Sequence, residues 1–321
     1  MRAVIAEDAG PPGVLIPIEL PDPEPGPGQV RVRVARAAIS FIDTQLRAGT
    51  SPGPKVEFPI VLGNGVCGRI DAVGDGVDPE WIKTLVVTST GGRGGYAALA
   101  LAAVEDLHRV PVDVELTSAL ALLADGRTAL GLARAAEIQP GETVVVTAAA
   151  GGVGSLLVQV AALAGARVIG LAGSDAKLDH VRGLGADTVI NYRGSGWSSR
   201  VQAEAPDGVD VVFDGVGGST TTVLNSLVRK GSRYLQYGSA SGAWGSIDAA
   251  AAVERGVTVI PLSAIGVGQE QSYALTKAAL VMAARGDLHP TVGQTYPLER
   301  AADAHAAIED RLTIGKTLLM P

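Results

Sequence analysis

The feature that most constrains the fold is a run of small residues directly after an apolar stretch near the middle of the chain. Residues 143–154 read TVVVTAAAGGVG. The β-branched run predicts a buried strand, and the small residues predict a tight turn that opens a helix. Ala149, Gly151 and Gly154 occupy the positions of a G-x-G-x-x-G pattern, with Ala replacing the first glycine. This strand–turn–helix predicts a dinucleotide-binding site, in which a diphosphate meets backbone N–H groups at a helix N-terminus.

Strand and helix patterns alternate around this turn. The predicted strands cover residues 143–147, 167–171, 188–191, 209–213 and 233–236, and the predicted helices cover 116–136, 153–163, 176–184 and 220–229. Fully apolar strands that alternate with helices are typical of a parallel sheet with both faces covered. We therefore predict a Rossmann-type doubly wound domain over residues 116–261.

The first part of the chain has a different texture. Up to about residue 115 the strands are short, with Gly and Pro between them, and residues 29–34 alternate strictly between polar and apolar. That pattern favours an antiparallel, partly open β-barrel. From residue 262 the chain has helical patterns and a final strand at 317–320. We predict that residues 262–321 return to complete the domain formed by residues 1–115.

Composition excludes several classes of protein. The net charge is −7 and the longest basic run is two residues, which argues against nucleic-acid binding. A single cysteine, Cys67, excludes an internal disulfide and a multi-cysteine metal site, and a buried packing role is preferred for it. No apolar stretch is long enough to cross a bilayer, and the first residues do not resemble a signal peptide. A cytoplasmic enzyme is the expectation.

The end of the second predicted strand indicates which dinucleotide is bound. An NAD-selective site places an acidic residue there, but this strand runs into Gly173 and Ser174. Ser174 and Lys177 offer a hydroxyl donor and a positive charge to a 2′-phosphate. Alternatively, Ser174 caps the next helix and Lys177 is solvated, while a small backbone shift would turn Asp175 toward the ribose. The missing acid favours NADPH over NADH.

Eight further motifs follow in a characteristic order and spacing. They are AISFIDT (38–44), PIVLGNGVCG (59–68), GYA (95–97), GRTA (126–129), GLGAD (183–187), NY (191–192), DGVGG (214–218) and RLTIGK (311–316). Together with the turn at 149–154, this order resembles the medium-chain dehydrogenase/reductase superfamily over essentially the whole chain. The resemblance is closest to the zinc-independent, zeta-crystallin-like quinone oxidoreductases. It implies a GroES-like barrel beside the Rossmann domain, NADPH as cofactor, and a homodimer.

The resemblance also implies roles for individual residues. The pyrophosphate would lie on residues 150–154, that is Ala150, Gly151, Gly152, Val153 and Gly154, and the 2′-phosphate would meet Ser174, Lys177 and Tyr192. The nicotinamide side would be bordered by Phe41, Thr128, Gly238, Ser239, Leu262 and Ser263. Lys316 would reach the cofactor from the far end. Substrate would bind in a cleft between the domains, edged by Ser40, Asp43 and Thr44.

Zinc-dependent members of the superfamily use Cys and His where this chain has Ser40 and Asn64. The four scattered histidines and the single cysteine cannot assemble a tetrahedral site, which predicts a protein without zinc. Quinone oxidoreductases usually carry Asn, Tyr and Glu where this chain has Ser40, Gln45 and Gly65. These departures leave the substrate, and even the reaction, open.

Hydride transfer to a quinone or an α,β-unsaturated carbonyl is the favoured chemistry, since the nicotinamide carries the reaction. Ser40, Gln45 or Asn64 would hydrogen-bond the substrate oxygen, and the proton would come from Tyr237 or from water. Asp43 is expected to make a structural hydrogen bond. The alternatives are a biosynthetic tailoring enzyme on the same fold, either an enoyl reductase or a cyclase, and a non-catalytic NADPH-binding sensor. An edge strand near residues 256–260 would pair two protomers.

Overall fold

The structure is a computed structural model that describes residues 1–51, 56–265 and 268–321. It contains two compact units, one formed by Met1–Ala124 with Thr276–Pro321 and the other by Asp125–Leu275. The junctions lie at 124/125 and 275/276, whereas the sequence suggested 115/116 and 261/262. Residues 116–124 belong to the first unit because the side chains of Leu120 and Leu123 pack over Gly65 of its sheet.

The first unit is built mainly of antiparallel strands. Its strands are β1 (Arg2–Ala6), β2 (Leu15–Glu19), β3 (Gln29–Ile39), β4 (Gly65–Val73), β5 (Leu85–Ser89), β6 (Leu99–Ala103), β7 (His108–Arg109), β14 (Val292–Pro297) and β15 (Lys316–Met320). Its helices are α1 (Phe41–Ala48), α2 (Leu116–Ala121) and α10 (Ala301–Glu309). The main sheet has the order β14-β15-β3-β4-β5-β7, with β6 also paired to β3, and β1 pairs with β2. The last strands of the chain thus join the sheet formed by the first ones.

The period-two pattern at the start of β3 determines which side chains enter the core of the first unit. Val30, Val32 and Val34 are buried, while Arg33 between them is exposed. Successive side chains of a strand point to opposite faces, so one face of β3 meets the core and the other meets water. After β3, the sequence Ser40–Phe41 begins α1, which brings residue 40 to the end of a central strand.

The second unit alternates strands and helices. Its strands are β8 (Thr143–Val146), β9 (Arg167–Ala172), β10 (Thr188–Asn191), β11 (Val209–Asp214), β12 (Val228–Gln236) and β13 (Thr258–Ile260). Its helices are α3 (Arg127–Ala136), α4 (Gly152–Leu163), α5 (Asp175–Gly183), α6 (Trp197–Glu204), α7 (Ser219–Leu227) and α8 (Ala249–Glu254); α9 (Gln269–Ala284) contains the junction at 275/276. The strands pair in parallel in the order β10-β9-β8-β11-β12-β13.

This strand order is that of the predicted doubly wound sheet. The chain proceeds from β8 outward to β10, then crosses to β11 and proceeds outward the other way. Every residue of β11 is buried, which is typical of a central parallel strand covered on both faces. The point where the winding reverses lies between β8 and β11, and ligands of open α/β sheets bind at such a point.

Two details differ from the sequence prediction. The helix predicted over 116–136 is interrupted by a π-helical turn at Leu122–Gly126, and the helix predicted to reach residue 229 ends at Leu227 because β12 begins at Val228. The segment predicted as an edge strand does form β13, at the end of the sheet order. None of the helices among the described residues is long and apolar enough to span a membrane.

Candidate active site

The carboxyl edge of the parallel sheet gathers most of the predicted cofactor residues. Each segment follows directly after a strand: 147–151 after β8, 173–174 after β9, 192–193 after β10, 215–218 after β11 and 237–239 after β12. Because parallel strands end at the same edge, segments that are distant in sequence become neighbours in the second unit. The sequence therefore identified a set of residues that the sheet does bring together.

The turn after β8 has the tight geometry that the small residues predicted. A Cβ on Gly154 would overlap the carbonyl oxygen of Ala148 and lie 2.9 Å from the Cα of Ala149. The third glycine is therefore required by the close approach of α4 to the turn. Ala148 itself adopts φ +48°, a left-handed conformation that is uncommon for a residue with a side chain.

This turn is suited to a diphosphate. Gly151 is the N-cap of α4 with extended backbone, and a Cβ there would meet only the carbonyl oxygen of Ala148, at 3.2 Å. The N-terminus of a helix of 12 residues directs free N–H groups and a partial positive charge toward the turn. The residues present thus fit the phosphates of a dinucleotide.

Asp125, which the sequence analysis did not single out, lies against this turn. The residue is buried in the π-helical turn, and its carboxylate is so close to Gly152 that a Cβ on that glycine would overlap it. Single π-helical turns occur often at functional sites, because the extra residue redirects a side chain. The helical pattern of residues 116–136 gave no sign of this irregularity.

A buried carboxylate, Asp214, connects the turns after β8 and β11. Its Oδ1 accepts hydrogen bonds from Thr147 Oγ1 at 2.9 Å and from the N–H groups of Val216 and Gly217 at 3.0 and 3.1 Å. Its Oδ2 accepts from Thr221 Oγ1 at 2.6 Å and from the Tyr234 hydroxyl at 2.9 Å. Five donors compensate the cost of burying the charge. Asp214 therefore holds both turns in register at the point where the winding reverses.

The segment after β12 packs onto the same turns. The hydroxyl group of Tyr237 donates to the carbonyl oxygen of Thr147 at 2.8 Å, and burial raises the pKa of this tyrosine. A Cβ on Gly238 would lie 2.8 Å from the carbonyl oxygen of Gly215, so glycine is needed there. Ser239 is buried. The structure thus places Tyr237 in a hydrogen bond with the backbone of the phosphate turn, and its predicted role as a proton donor stays a prediction.

The segments after β9 and β10 meet where the adenosine 2′-phosphate was expected. Ser174 is exposed and makes no capping hydrogen bond to α5, so the alternative role as a helix cap is not what the geometry shows. A Cβ on Gly173 would lie 3.5 Å from the Tyr192 hydroxyl and 3.2 Å from Nε of Arg193. Arg193 was missed, although its position directly after Tyr192 was an available signal. Lys177 is half-buried on α5.

The remaining predicted cofactor residues of the second unit lie on two further segments. Thr128 is half-buried in the first turn of α3, directly after the π-helical turn. Leu262 and Ser263 lie in the 3₁₀ turn after β13 and are exposed. They therefore follow the carboxyl end of β13, like the segments described above.

In the first unit, Ser40 and Lys316 are brought together although they are far apart in sequence. The ammonium group of Lys316 donates to Ser40 Oγ at 3.1 Å, and Lys316 is only 3% exposed. β15 pairs with the end of β3, which places the first residue of β15 beside the residue that follows β3. The sequence predicted Lys316 as a cofactor ligand, and the structure shows its ammonium group hydrogen-bonded to Ser40, the predicted catalytic serine.

A chain of buried polar groups continues inward from Ser40. Asp43 accepts the backbone N–H of Ser40 at 2.7 Å, as expected for a structural hydrogen bond. Burial raises the pKa of Asp43 to about 6, while the Ser40 N–H, the charge of Lys316 and a hydrogen bond with Tyr96 oppose that rise. The Tyr96 hydroxyl lies 2.9 Å from Nε2 of His305. Burial and the nearby Arg47 lower the pKa of His305 to about 3, so this imidazole is neutral.

The other predicted substrate ligands have different surroundings. Oδ1 of Asn64 accepts from Ser89 Oγ at 2.7 Å and from the N–H of Gly92 at 2.6 Å, so this oxygen organises a loop. Gln45 is half-buried on α1. A Cβ on Gly65 would lie 3.1 Å from Leu123 Cδ2 and 3.7 Å from Leu120 Cδ1. The position where relatives were expected to carry Glu therefore faces leucine side chains.

The described residues include no group of three or more His, Cys, Asp or Glu side chains placed to hold a metal ion. Cys67 is buried in β4, and burial raises the pKa of its thiol to about 12. A thiol in that environment is unreactive. The polar chemistry of the first unit is therefore concentrated at Ser40, Lys316 and Asp43.

A mainly antiparallel unit and a doubly wound parallel unit together define a two-domain fold, and comparison with known proteins agrees with it. Residues 26–112 match the alcohol dehydrogenase GroES-like domain, and residues 152–279 match the zinc-binding dehydrogenase family. A quinone oxidoreductase from Pseudomonas aeruginosa is 33% identical over 289 residues, 88% of each chain. The chain therefore belongs to the quinone oxidoreductase branch of the medium-chain dehydrogenase/reductase superfamily.

Two further comparisons bear on function. A 2-haloacrylate reductase from a Burkholderia species is 34% identical over 296 residues, again 88% of each chain. The crystal structure of Escherichia coli quinone oxidoreductase complexed with NADPH superposes with a TM-score of 0.92 at 29% identity and covers 100% of both chains. The predicted fold class, a GroES-like barrel with a Rossmann-type sheet, is thereby confirmed.

Proposed function

We propose that this protein is an NADPH-dependent reductase of quinones or α,β-unsaturated carbonyl compounds that works without zinc. The proposal rests on two features, a turn suited to a diphosphate in one unit and a buried Lys316–Ser40 hydrogen bond in the other. Bound NADPH would supply the hydride. The protein's own residues would hold the cofactor, orient the substrate and stabilise the charge that develops on the substrate oxygen.

Residues 150–154 would hold the pyrophosphate against the N-terminus of α4. Ser174, Lys177, Tyr192 and Arg193 would recognise the 2′-phosphate, because a hydroxyl, two cations and a phenol supply donors where an NAD-selective site needs an acid. The Escherichia coli relative that superposes on this chain is complexed with NADPH, which supports the same choice here.

The substrate is proposed to be apolar with a conjugated carbonyl. Ser40 is half-buried, and the two residues after it, Phe41 and Ile42, are 37% and 40% exposed. Exposed apolar side chains beside a polar hydrogen-bonding group suit a flat quinone or enone, whose oxygen needs a donor while its carbon skeleton needs apolar contact. The named activity of the 2-haloacrylate reductase relative, on an activated alkene, supports this substrate class.

The absence of zinc is proposed from the donor set. Ser40 and Asn64 stand where zinc-dependent members were expected to carry Cys and His. Ser40 accepts a hydrogen bond from Lys316, and Oδ1 of Asn64 accepts two from its loop. A cation such as Lys316 beside Ser40 opposes binding of a second cation. Metal analysis of the purified protein by mass spectrometry, before and after dialysis against a chelator, tests this point.

The experiment for the proposed function measures NADPH oxidation at 340 nm with a panel of quinones and enones. Turnover of a quinone or an enone is the expected result. Tight NADPH binding without oxidation of any substrate in the panel would favour a sensor or a tailoring enzyme that no longer transfers hydride. A matched assay with NADH should show a clear preference for NADPH.

We also propose a homodimer formed through β13. This strand ends the sheet order, and Val259 on it is 39% exposed. An apolar edge strand can pair with its symmetry mate and extend both sheets. Light scattering that gives the mass of a monomer at micromolar concentration would rule this out.

A further inference from the structure

The Lys316–Ser40 pair is unusual because a lysine is buried beside a half-exposed hydroxyl. Lys316 is 3% exposed, and its ammonium group donates to Ser40 Oγ at 3.1 Å. A buried ammonium group is costly unless it is compensated, so such a residue is rarely retained for packing alone. An ammonium group donates three hydrogen bonds and accepts none, whereas a hydroxyl can accept from it and donate onward. Ser40 can therefore pass a proton from Lys316 to whatever contacts its outer side.

Several charged and polar groups surround this pair. Asp43 lies close enough for the charges of the two residues to interact, and its carboxylate is fixed by the N–H of Ser40. Tyr96 is near enough to Asp43 to lower the pKa of its carboxyl group, and the Tyr96 hydroxyl lies 2.9 Å from Nε2 of His305. Arg47 is also near Tyr96 and His305, but it is paired with Glu309. Asp43 is thus the negative group that balances Lys316.

The hydrogen bond between His305 and Tyr96 has a preferred direction. Nδ1 of His305 is buried without a hydrogen-bond partner among the described residues. An unpaired acceptor is tolerated more readily than an unpaired N–H. The proton of His305 is therefore on Nε2, which donates to the Tyr96 hydroxyl. Asp43 accepts the N–H of Ser40 at 2.7 Å, and Lys316 and Tyr96 also favour its ionised form.

We propose that Lys316 is the proton source of the reductase and that it acts through the Ser40 hydroxyl, with Asp43 as the positioning carboxylate. This inference rests on the proposed function. When hydride adds to the β-carbon of an enone, the electrons of the C=C bond form a double bond between the α-carbon and the carbonyl carbon, and the π electrons of the C=O bond move to the carbonyl oxygen. Ser40 Oγ gives its proton to that oxygen and takes one from Lys316 Nζ. The products are an enol, which becomes the saturated ketone, and a neutral lysine, which is reprotonated from solvent.

Three variants test this role. Lys316→Met removes the charge and the proton, whereas Lys316→Arg keeps a charge that is not released at ordinary pH. Both should lower kcat with an enone on the order of 100-fold, the usual contribution of a general acid. The exposed Lys277→Met on α9 is the matched control and should not change kcat. In Lys316→Ala, added ethylammonium should restore part of the lost rate.

Two readouts are independent of turnover. The dissociation constant for NADPH, from quenching of protein fluorescence, should be the same in Lys316→Met as in wild type. In cofactor-free protein, a carbon-13 NMR titration should show the pKa of Asp43 near 6 in wild type and higher in Lys316→Met, since the opposing positive charge is gone.

The outcomes separate the possible roles of Lys316. Weaker NADPH binding with an unchanged kcat at saturation would make Lys316 a cofactor ligand and overturn the inference. A kcat within twofold of wild type in Lys316→Met, or full activity in Lys316→Arg, would also overturn it. If the wild type reduces an enone and the Lys316 variants do so at the same rate, only this inference is wrong. If the wild type does not oxidise NADPH in the presence of any quinone or enone, both the proposed function and this inference are overturned.

Discussion

The two polar centres of this molecule are built in different ways. In the second unit, the phosphate turn consists of backbone groups contributed by a continuous segment, with glycines where side chains would collide. In the first unit, the Ser40–Lys316 pair and the chain through Asp43, Tyr96 and His305 consist of side chains from four separate segments. In the proposed function, the first centre would recognise a ligand by shape and N–H groups, and the second would supply a proton.

This difference determines how each centre should respond to substitution. A backbone site tolerates side-chain changes unless they occupy the space of the ligand or disturb the turn. A side-chain site depends on every member, since each buried polar group needs its partner. The predictions that follow are ways to test this contrast.

Asp214 should give the largest effect, because this buried side chain accepts hydrogen bonds from both turns of the backbone site. Asp214→Ala leaves five donors without their acceptor and should destabilise the protein by about 4 kcal/mol. Urea denaturation followed by circular dichroism measures the loss. The exposed Asp207→Ala is the control and should change stability little. A loss of stability below about 1 kcal/mol for Asp214→Ala would show that the two turns keep their conformation without this carboxylate.

The glycine of the turn should give the next largest effect. In Gly154→Ala, the new methyl group overlaps the carbonyl oxygen of Ala148, so we expect a destabilisation of about 2 kcal/mol and at least tenfold weaker NADPH binding. Gly183→Ala is the matched control, because a Cβ there meets nothing within 4 Å and alanine favours a helix. Calorimetry would measure both quantities. Equal NADPH affinity in the two variants would contradict the assigned geometry.

The buried histidine makes the first unit sensitive to acid. The pKa of His305 is lowered to about 3, so its neutral form stabilises the fold above the ordinary value of 6.5, and this stability is lost as the pH falls toward 3. As the pH falls from 6.5 to about 3, the free energy of unfolding of the wild type should decrease by up to about 1.4 kcal/mol per pH unit more than that of His305→Gln. Asp43 acts in the opposite direction, because its raised pKa favours the fold at low pH and this contribution is lost between its ordinary value and about 6. That contribution is present in both proteins and cancels in the comparison.

Denaturant titrations at a series of pH values measure this difference. His289→Gln, at an exposed histidine, serves as the control and should follow the wild type. Parallel pH curves for wild type and His305→Gln would mean that His305 is solvated or protonated in the native protein.

The smallest effect concerns an exposed side chain at the edge of the backbone site. Arg193→Gln should weaken NADPH binding roughly fivefold and leave NADH binding unchanged, since only NADPH carries the 2′-phosphate. Arg200→Gln, also exposed and nearby in sequence, is the control. Dissociation constants for both cofactors measure the change. An equal loss for NADPH and NADH would place Arg193 away from the 2′-phosphate.

The same contrast explains which features could be predicted from the sequence. The strand over 188–191 and the turn at 149–154 were predicted because periodicity and small residues are local signals. Arg193 was missed although it follows Tyr192, because the contact that brings it beside Gly173 depends on the pairing of β10 with β9. Asp125 was missed because the π-helical turn that directs it leaves the helical pattern intact. Lys316 was predicted to bind cofactor, and its contact with Ser40 depends on the pairing of β15 with β3.

The sequence by itself determined that this chain forms a parallel α/β unit with a tight turn of small residues after β8, and that a β-rich unit accompanies it. It could do so because apolar periodicity and the absence of side chains are properties of consecutive residues. Only the tertiary structure decided that Lys316 contacts Ser40 and that Asp43, Tyr96 and His305 form one chain. Those contacts join residues up to 276 positions apart, and strand register and burial, which are properties of the whole fold, determine them.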